Sequence, residues 1–135
     1  MNDKDLVKLA IEAREMSYSP YSNFKVGAVL LAKNGKIYTG CNIESASYTP
    51  TNCAERTAFF KAISVGVTEF EAIAIVGGMK DTSAKICYPC GVCRQVMAEF
   101  CDDDFRIILG DSDYNMNIIN LDELLPHRFG PDDLK

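Results

Sequence analysis

The 135-residue chain has no apolar run approaching the ~20 residues that a membrane-spanning helix needs. Its first residues, Met1-Asn2-Asp3-Lys4-Asp5, lack the basic-then-apolar order of a secretory signal, so a cytoplasmic location is expected. Basic charge is not in excess: 14 Lys plus Arg face 19 Asp plus Glu, a formal net charge of -5. That balance argues against a nucleic-acid partner, whose phosphates require a basic face, and leaves a small uncharged ligand open. Only one histidine, His127, is present. No repeat, low-complexity tract or Ser/Gly linker interrupts the chain, so a single domain over residues 1–135 is expected. What is there is globular in balance, 47% hydrophobic and 24% charged. At this size about two-thirds of the unfolded surface can be buried, enough for a self-sufficient core.

Leu6, Leu9, Ala10, Ala13 and Met16 recur at helical spacing, with Asn2 as N-cap and the Pro20 region as a stop. Residues 25–32 and 36–41 read as strands around Asn34-Gly35, the strongest short hairpin signal. A second helix is predicted over 53–65, with Ala54, Ala58, Ala62 and Val65 on one side. Short apolar runs at 71–78 and 105–110 read as buried strands. Between them Val92, Val96 and Phe100 mark a helix over 91–100. Residues 116–120 form a last strand and 121–125 a short helix. The order α-β-β-α-β-α-β-β-α predicts an α/β fold, a three-layer α/β/α sandwich on a mixed sheet of about five strands.

Six cysteines stand at 41, 53, 87, 90, 93 and 101. In a reducing compartment they favour metal binding over disulfides. Pro89-Cys90-Gly91-Val92-Cys93 opens the third helix, and residues three apart share a helical face, so both sulfurs can meet one ion. Cys53 opens the second helix. Three thiolates around Zn²⁺ leave a fourth tetrahedral position for water, whereas a closed structural site fills all four. A closed set of Cys53, Cys87, Cys90 and Cys93 is the main rival. Pro89 favours the open set, because it starts a helix and biases Tyr88 to extended backbone. Cys41, Cys87 and Cys101 then read as small core hydrophobes.

Glu55 follows Asn52 by three residues, which imitates a capping box. It also follows a candidate ligand by two. Cys53-Ala54-Glu55 with Pro89-Cys90-Gly91-Val92-Cys93 matches the zinc-deaminase signature in its all-cysteine variant.

At these residues the chain resembles the cytidine deaminases that act on free nucleosides, over nearly its whole length. The resemblance rests on Asn42-Ile43-Glu44-Ser45-Ala46-Ser47-Tyr48, on Thr51-Asn52-Cys53-Ala54-Glu55-Arg56-Thr57-Ala58 and on Pro89-Cys90-Gly91-Val92-Cys93-Arg94-Gln95. The 19–28 and 124–129 segments also look like family segments, while Ser45 stands where many members have asparagine. The three-cysteine set resembles the short, homotetrameric branch. The resemblance implies one Zn²⁺ held by Cys53, Cys90 and Cys93, and hydrolytic exchange of the 4-amino group of cytidine or deoxycytidine for oxygen. It implies that Glu55 shuttles the protons and that the Ala54 amide, with Glu55, recognises the base. Asn42 and Glu44 would clamp the ribose, with Phe24 against base or sugar. Tyr48 would lie near a subunit boundary, and Phe129 would reach a neighbouring subunit's site. Arg56, one helical turn after Cys53, is expected to donate to thiolate sulfur and draw charge off it. A blasticidin-type or other small aminopyrimidine deaminase, and a structural-zinc interaction domain, are the alternatives. Glu44 would oppose a phosphate, which favours a nucleoside over a nucleotide. His127 reads as a surface residue, since the ligand set is complete without it.

Overall fold

Asn2 caps helix α1 (Asp3–Arg14): its side chain accepts from the Asp5 amide while the Asp5 carboxylate accepts from the Asn2 amide. The pair satisfies two orphan donors, and Asp3 and Asp5 sit at the positive end of the helix dipole. The computed structural model describes residues 1–135. The helix ends at Arg14 with Glu15 as its C-cap, so Met16 lies beyond it and is exposed, not part of the apolar stripe.

Strands β1 (Gly27–Ala32) and β2 (Ile37–Cys41) form the antiparallel hairpin, with Gly35 taking the left-handed φ of 88° in the turn. Then follow α2 (Ala54–Ser64), β3 (Phe70–Val76), α3 (Gly91–Phe100), β4 (Arg106–Gly110), β5 (Met116–Asn120) and α4 (Leu121–Leu124). The sheet order is β2-β1-β3-β4-β5, and only β3 and β4 run parallel. Helix α3 is the crossover that a parallel pair requires. A short 3-10 turn, Pro131–Leu134, follows; no sequence signal had marked it.

Alternation within the strands separates two cores. Ala28, Leu30, Ile73, Ile75, Ile107 and Leu109 face α2, α3 and α4. Val29, Leu31, Ala72, Ala74, Val76 and Ile108 face α1. Strand β1, paired on both edges and covered on both faces, is buried at all six residues, which is why it reads as a continuous apolar run. Two predicted stripes sit differently. Val65 is the C-cap of α2 and exposed, because the helix ends at Ser64. In α3 the buried residues are Cys93, Met97 and Ala98, with Val92 exposed. Val96 and Phe100 are partly buried, so the apolar arc there is wider than one stripe. No helix is long and apolar enough to cross a membrane.

Candidate active site

Helices α2 and α3 each begin at a cysteine. Cys53 and Cys90 are the N-caps, both with extended backbone and neither with a side-chain cap hydrogen bond. The first amides of both helices therefore lack intrahelical partners, and both positive helix ends adjoin thiols. The capping-box alternative for Asn52 and Glu55 fails on this geometry. Asn52 Nδ2 instead donates to Thr57 Oγ1, and Thr57 Oγ1 to the Cys53 carbonyl, which fixes the chain at Cys53.

The sulfurs of Cys53, Cys90 and Cys93 lie within 4.8 Å of one another; Cys41, Cys87 and Cys101 are outside this group. Cys53 to Cys90 and Cys90 to Cys93 are each 3.6 Å. A tetrahedral zinc with Zn–S near 2.3 Å has sulfur edges of about 3.8 Å. The donor set therefore fits zinc, with one position left over. Arg56 Nη2 donates to Cys53 Sγ at 3.3 Å, while its buried Nε has no partner. Contact with the adjacent Cys93 thiol, and the Arg56 guanidinium, hold the Cys53 thiol below its usual range. The same contact, with burial, holds Cys93 above it.

Glu55 is 4% exposed. Burial pushes its carboxyl up to about 7, with the Cys53 charge adding to the rise and Arg56 opposing it. Burial also pushes Cys87 up to about 11.

A second set of residues comes from the 17–26 segment and the chain after β2. Glu44 accepts from the Tyr21 and Ser22 amides and from the Ser22 hydroxyl, and the Ser22 hydroxyl accepts from the Phe24 amide at 3.0 Å. The Ser22 hydroxyl holds the Glu44 carboxyl below the usual range. Asn42 Oδ1 accepts from the Val26 amide and the Ser17 hydroxyl, and its Nδ2 donates to the Phe24 carbonyl. Its acceptor is thus full and one N–H remains free. The Phe24 ring closes over Gly77, where an added Cβ would sit 3.3 Å from the ring and 2.7 Å from Cys87 Cβ.

Tyr48 has a left-handed φ of 59°, uncommon for an aromatic, and its exposed ring meets Tyr21 edge-on at 6.4 Å. Tyr21, Ser22, Glu44, Tyr48 and Thr51 line a cavity of about 380 Å³. Phe129 lines a different pocket, its carbonyl held by Gln95 Nε2. Ser17, Ser22 and Thr57 gave no signal in the sequence, because small hydroxyl residues in turns are common. A cavity of about 700 Å³ lies at the far end of α3 and includes no thiol of the cluster. The chemistry, not the volume, marks the site.

Four protein ligands would close such a centre. Three, beside a buried carboxylate of near-neutral pKa, make it the centre of a metal-assisted hydrolytic enzyme. Similarity to known proteins agrees in detail. Residues 1–109 match the family model described as the cytidine and deoxycytidylate deaminase zinc-binding region. A cytidine deaminase of Halalkalibacterium halodurans is 50% identical over 134 residues, covering 99% of this chain and 98% of that one. One from Sporosarcina psychrophila is 48% identical, at 99% and 96% coverage. The crystal structure of cytidine deaminase from Burkholderia pseudomallei superposes with a TM-score of 0.87 and 44% identity, covering 96% of this chain and all of that one. The chain belongs to the cytidine deaminase family, in its short form with a three-cysteine zinc site.

Proposed function

We propose that the protein hydrolyses cytidine and deoxycytidine to uridine and deoxyuridine with release of ammonia. The observation that carries the reading is Glu55, buried beside three convergent thiols on two helix starts. Cys53, Cys90 and Cys93 would hold Zn²⁺, which when bound lowers the pKa of a water and so supplies the nucleophile. Glu55 accepts a proton from the attacking water and passes it to ring N3. It then takes the proton from the hydroxyl newly bonded to C4 and delivers it to the 4-amino nitrogen as the C4–N bond breaks and the C4 carbonyl forms, so that water and nucleoside leave as ammonia and uridine or deoxyuridine. A carboxyl near pH 7 suits both directions of transfer. The Ala54 amide, unpaired in the first turn of α2, donates to the base. Arg56 draws charge from the Cys53 sulfur.

Phe24 covers the base or sugar, and Glu44 and the free N–H of Asn42 face the ribose hydroxyls. Glu44 stays ionised to low pH and so opposes a phosphate, which supports a nucleoside. Exposed Phe129 and Tyr48 support a homotetramer in which Phe129 covers a neighbour's site. Three free thiols at one centre support action in the reducing cytoplasm.

The deciding experiment follows uridine and ammonia release from cytidine, deoxycytidine, cytidine monophosphate and blasticidin S, with and without a strong chelator. Chelator-sensitive turnover of the first two is expected. Turnover of only the monophosphate or only blasticidin S would overturn the substrate assignment. Phe129→Ala should raise KM without loss of zinc, and a fully active monomer would refute the tetramer.

A further inference from the structure

One buried charge has no part in the chemistry above. Arg14, the last residue of α1, is 5% exposed and has no carboxylate partner. Four of its five N–H groups donate instead to backbone carbonyls: Nε to Lys25 at 3.1 Å, Nη1 to Thr82 at 3.0 Å, and Nη2 to Gly78 at 3.0 Å and Met79 at 2.9 Å. A buried guanidinium is expensive to desolvate, and only a fully satisfied fork offsets that. Gly78 is part of the arrangement. Its φ of 142° suits glycine, and an added Cβ would sit 3.2 Å from Arg14 Nη2.

The four carbonyls belong to two loops, one leading into β1 and one leaving β3. The loops are also tied to each other, by Lys25 N to Gly78 O at 2.9 Å, by Lys80 N to Asn23 O and by the Phe24–Met79 bridge. The first loop carries Phe24. Its neighbours Phe24 O and Val26 N are the two backbone groups that orient the Asn42 amide, and Phe24 N is bound by the Ser22 hydroxyl that holds Glu44. One side chain thus fixes the segment that carries Phe24 and hydrogen-bonds the Asn42 and Glu44 side chains assigned to the ribose.

We propose that Arg14 is a positioning residue for nucleoside recognition, acting through the Ser22–Val26 segment. The inference rests on the nucleoside reading above. The metal ligands sit at the helix starts, Cys53 at α2 and Cys90 and Cys93 at α3; the last two follow the connection that Arg14 grips at Gly78 to Thr82, but there Arg94 separately binds the Pro89 carbonyl beside Cys90. Loosening the segment weakens binding of substrate and transition state alike, which raises KM and spares kcat.

The test compares Arg14→Gln and Arg14→Lys with wild type, each zinc-loaded. Arg14→Lys keeps the charge, but one ammonium cannot span four carbonyls, so it carries the same test should the glutamine variant not fold. KM for cytidine is expected to rise roughly tenfold for Arg14→Gln and about threefold for Arg14→Lys, with kcat within about twofold and full zinc content. In a Phe24→Ala background the effect of either variant should shrink, because both act through one segment. Arg106→Gln is the control. It breaks the ion pair with Asp3 at the opposite end of α1, and should lower the thermal midpoint without raising KM. Unchanged KM in the Arg14 variants, full additivity with Phe24→Ala, or an equal KM rise in Arg106→Gln would each overturn the proposal. A wild-type protein inactive on nucleosides would instead overturn the nucleoside reading, and this proposal with it.

Discussion

Gly40 in β2 is not in any of the site motifs, yet Gly40→Ala should damage the site more than a substitution inside one. Gly40 is buried opposite Ala28, under the first turns of α2. A Cβ there would stand 2.3 Å from the Ala54 carbonyl oxygen, 2.7 Å from the Ala58 nitrogen and 3.1 Å from Ala58 Cβ. The first distance is about 1.1 Å short of ordinary contact, and the opposing atoms are helix backbone, so α2 must move as a body. That displacement carries Cys53 and Glu55 away from Cys90 and Cys93, which ride on α3. Overpacking of this kind costs about 2 kcal/mol, or roughly 8 °C of thermal midpoint at this chain length. Misplacing the acid–base group by ~1 Å costs on the order of 100-fold in kcat. Steady-state uridine formation, zinc by mass spectrometry and a thermal melt read all three. Gly91→Ala is the counterpart inside Pro89-Cys90-Gly91-Val92-Cys93. Nothing lies within 4 Å of its added Cβ, and the helix start gains up to about 1 kcal/mol of propensity, so near-normal activity is expected. Wild-type kcat and zinc content in Gly40→Ala would refute the reasoning.

Glu55→Gln should keep zinc and lose at least ~100-fold in turnover, since the amide cannot carry the proton. In chelator-stripped protein the same variant reports on pH. Burial raises the folded carboxyl from 4.5 to about 7, so the native state binds the extra proton and wild-type stability falls as pH climbs between those values. The glutamine variant should therefore be favoured at pH 8 and lose that advantage towards pH 4.5; denaturant midpoints at both ends check the sign. Arg56→Ala removes the donor to Cys53 and is expected to lower kcat and zinc affinity together, read by competition with a chromophoric chelator. In stripped protein at pH 7.5, alkylation should reach Cys53 well before Cys87, whose thiol burial pushes to about 11. Peptide mapping that found Cys87 labelled first would contradict this.

The hairpin, the element order and the start of α3 were legible because each has a local cause: Asn34-Gly35 for the turn, short apolar runs for the strands, Pro89 for the helix start. The thiol cluster was legible through spacing. Val65 and Val92 were misplaced because periodicity names an apolar arc without saying where the neighbouring layer stops. Asn42 and Glu44 could be singled out only through the family resemblance, and the hydrogen bonds that engage them not at all, since Ser17 and Ser22 reach them only after the 17–26 segment has folded over the end of β2. Arg14 and Gly40 were silent for the same reason. A last-turn arginine and a strand glycine are unremarkable until the layers close on them.

The thiols come from two different connections of one sheet. Cys53 lies on the path from β2 to β3, and Cys90 and Cys93 on the crossover from β3 to β4. Some 37 residues separate the first from the second, so the chain must close a long loop before any sulfur finds another. Strand β3 has to be seated between β1 and β4 for both helix starts to face one point. Local hairpin formation, which is fast, does nothing for the metal; the slow non-local pairing does. Zinc uptake during refolding should accordingly lag the burst of secondary structure in a stopped-flow trace with a zinc indicator. The ion then acts as a timekeeper, joining the chain only once the middle of the sheet is complete.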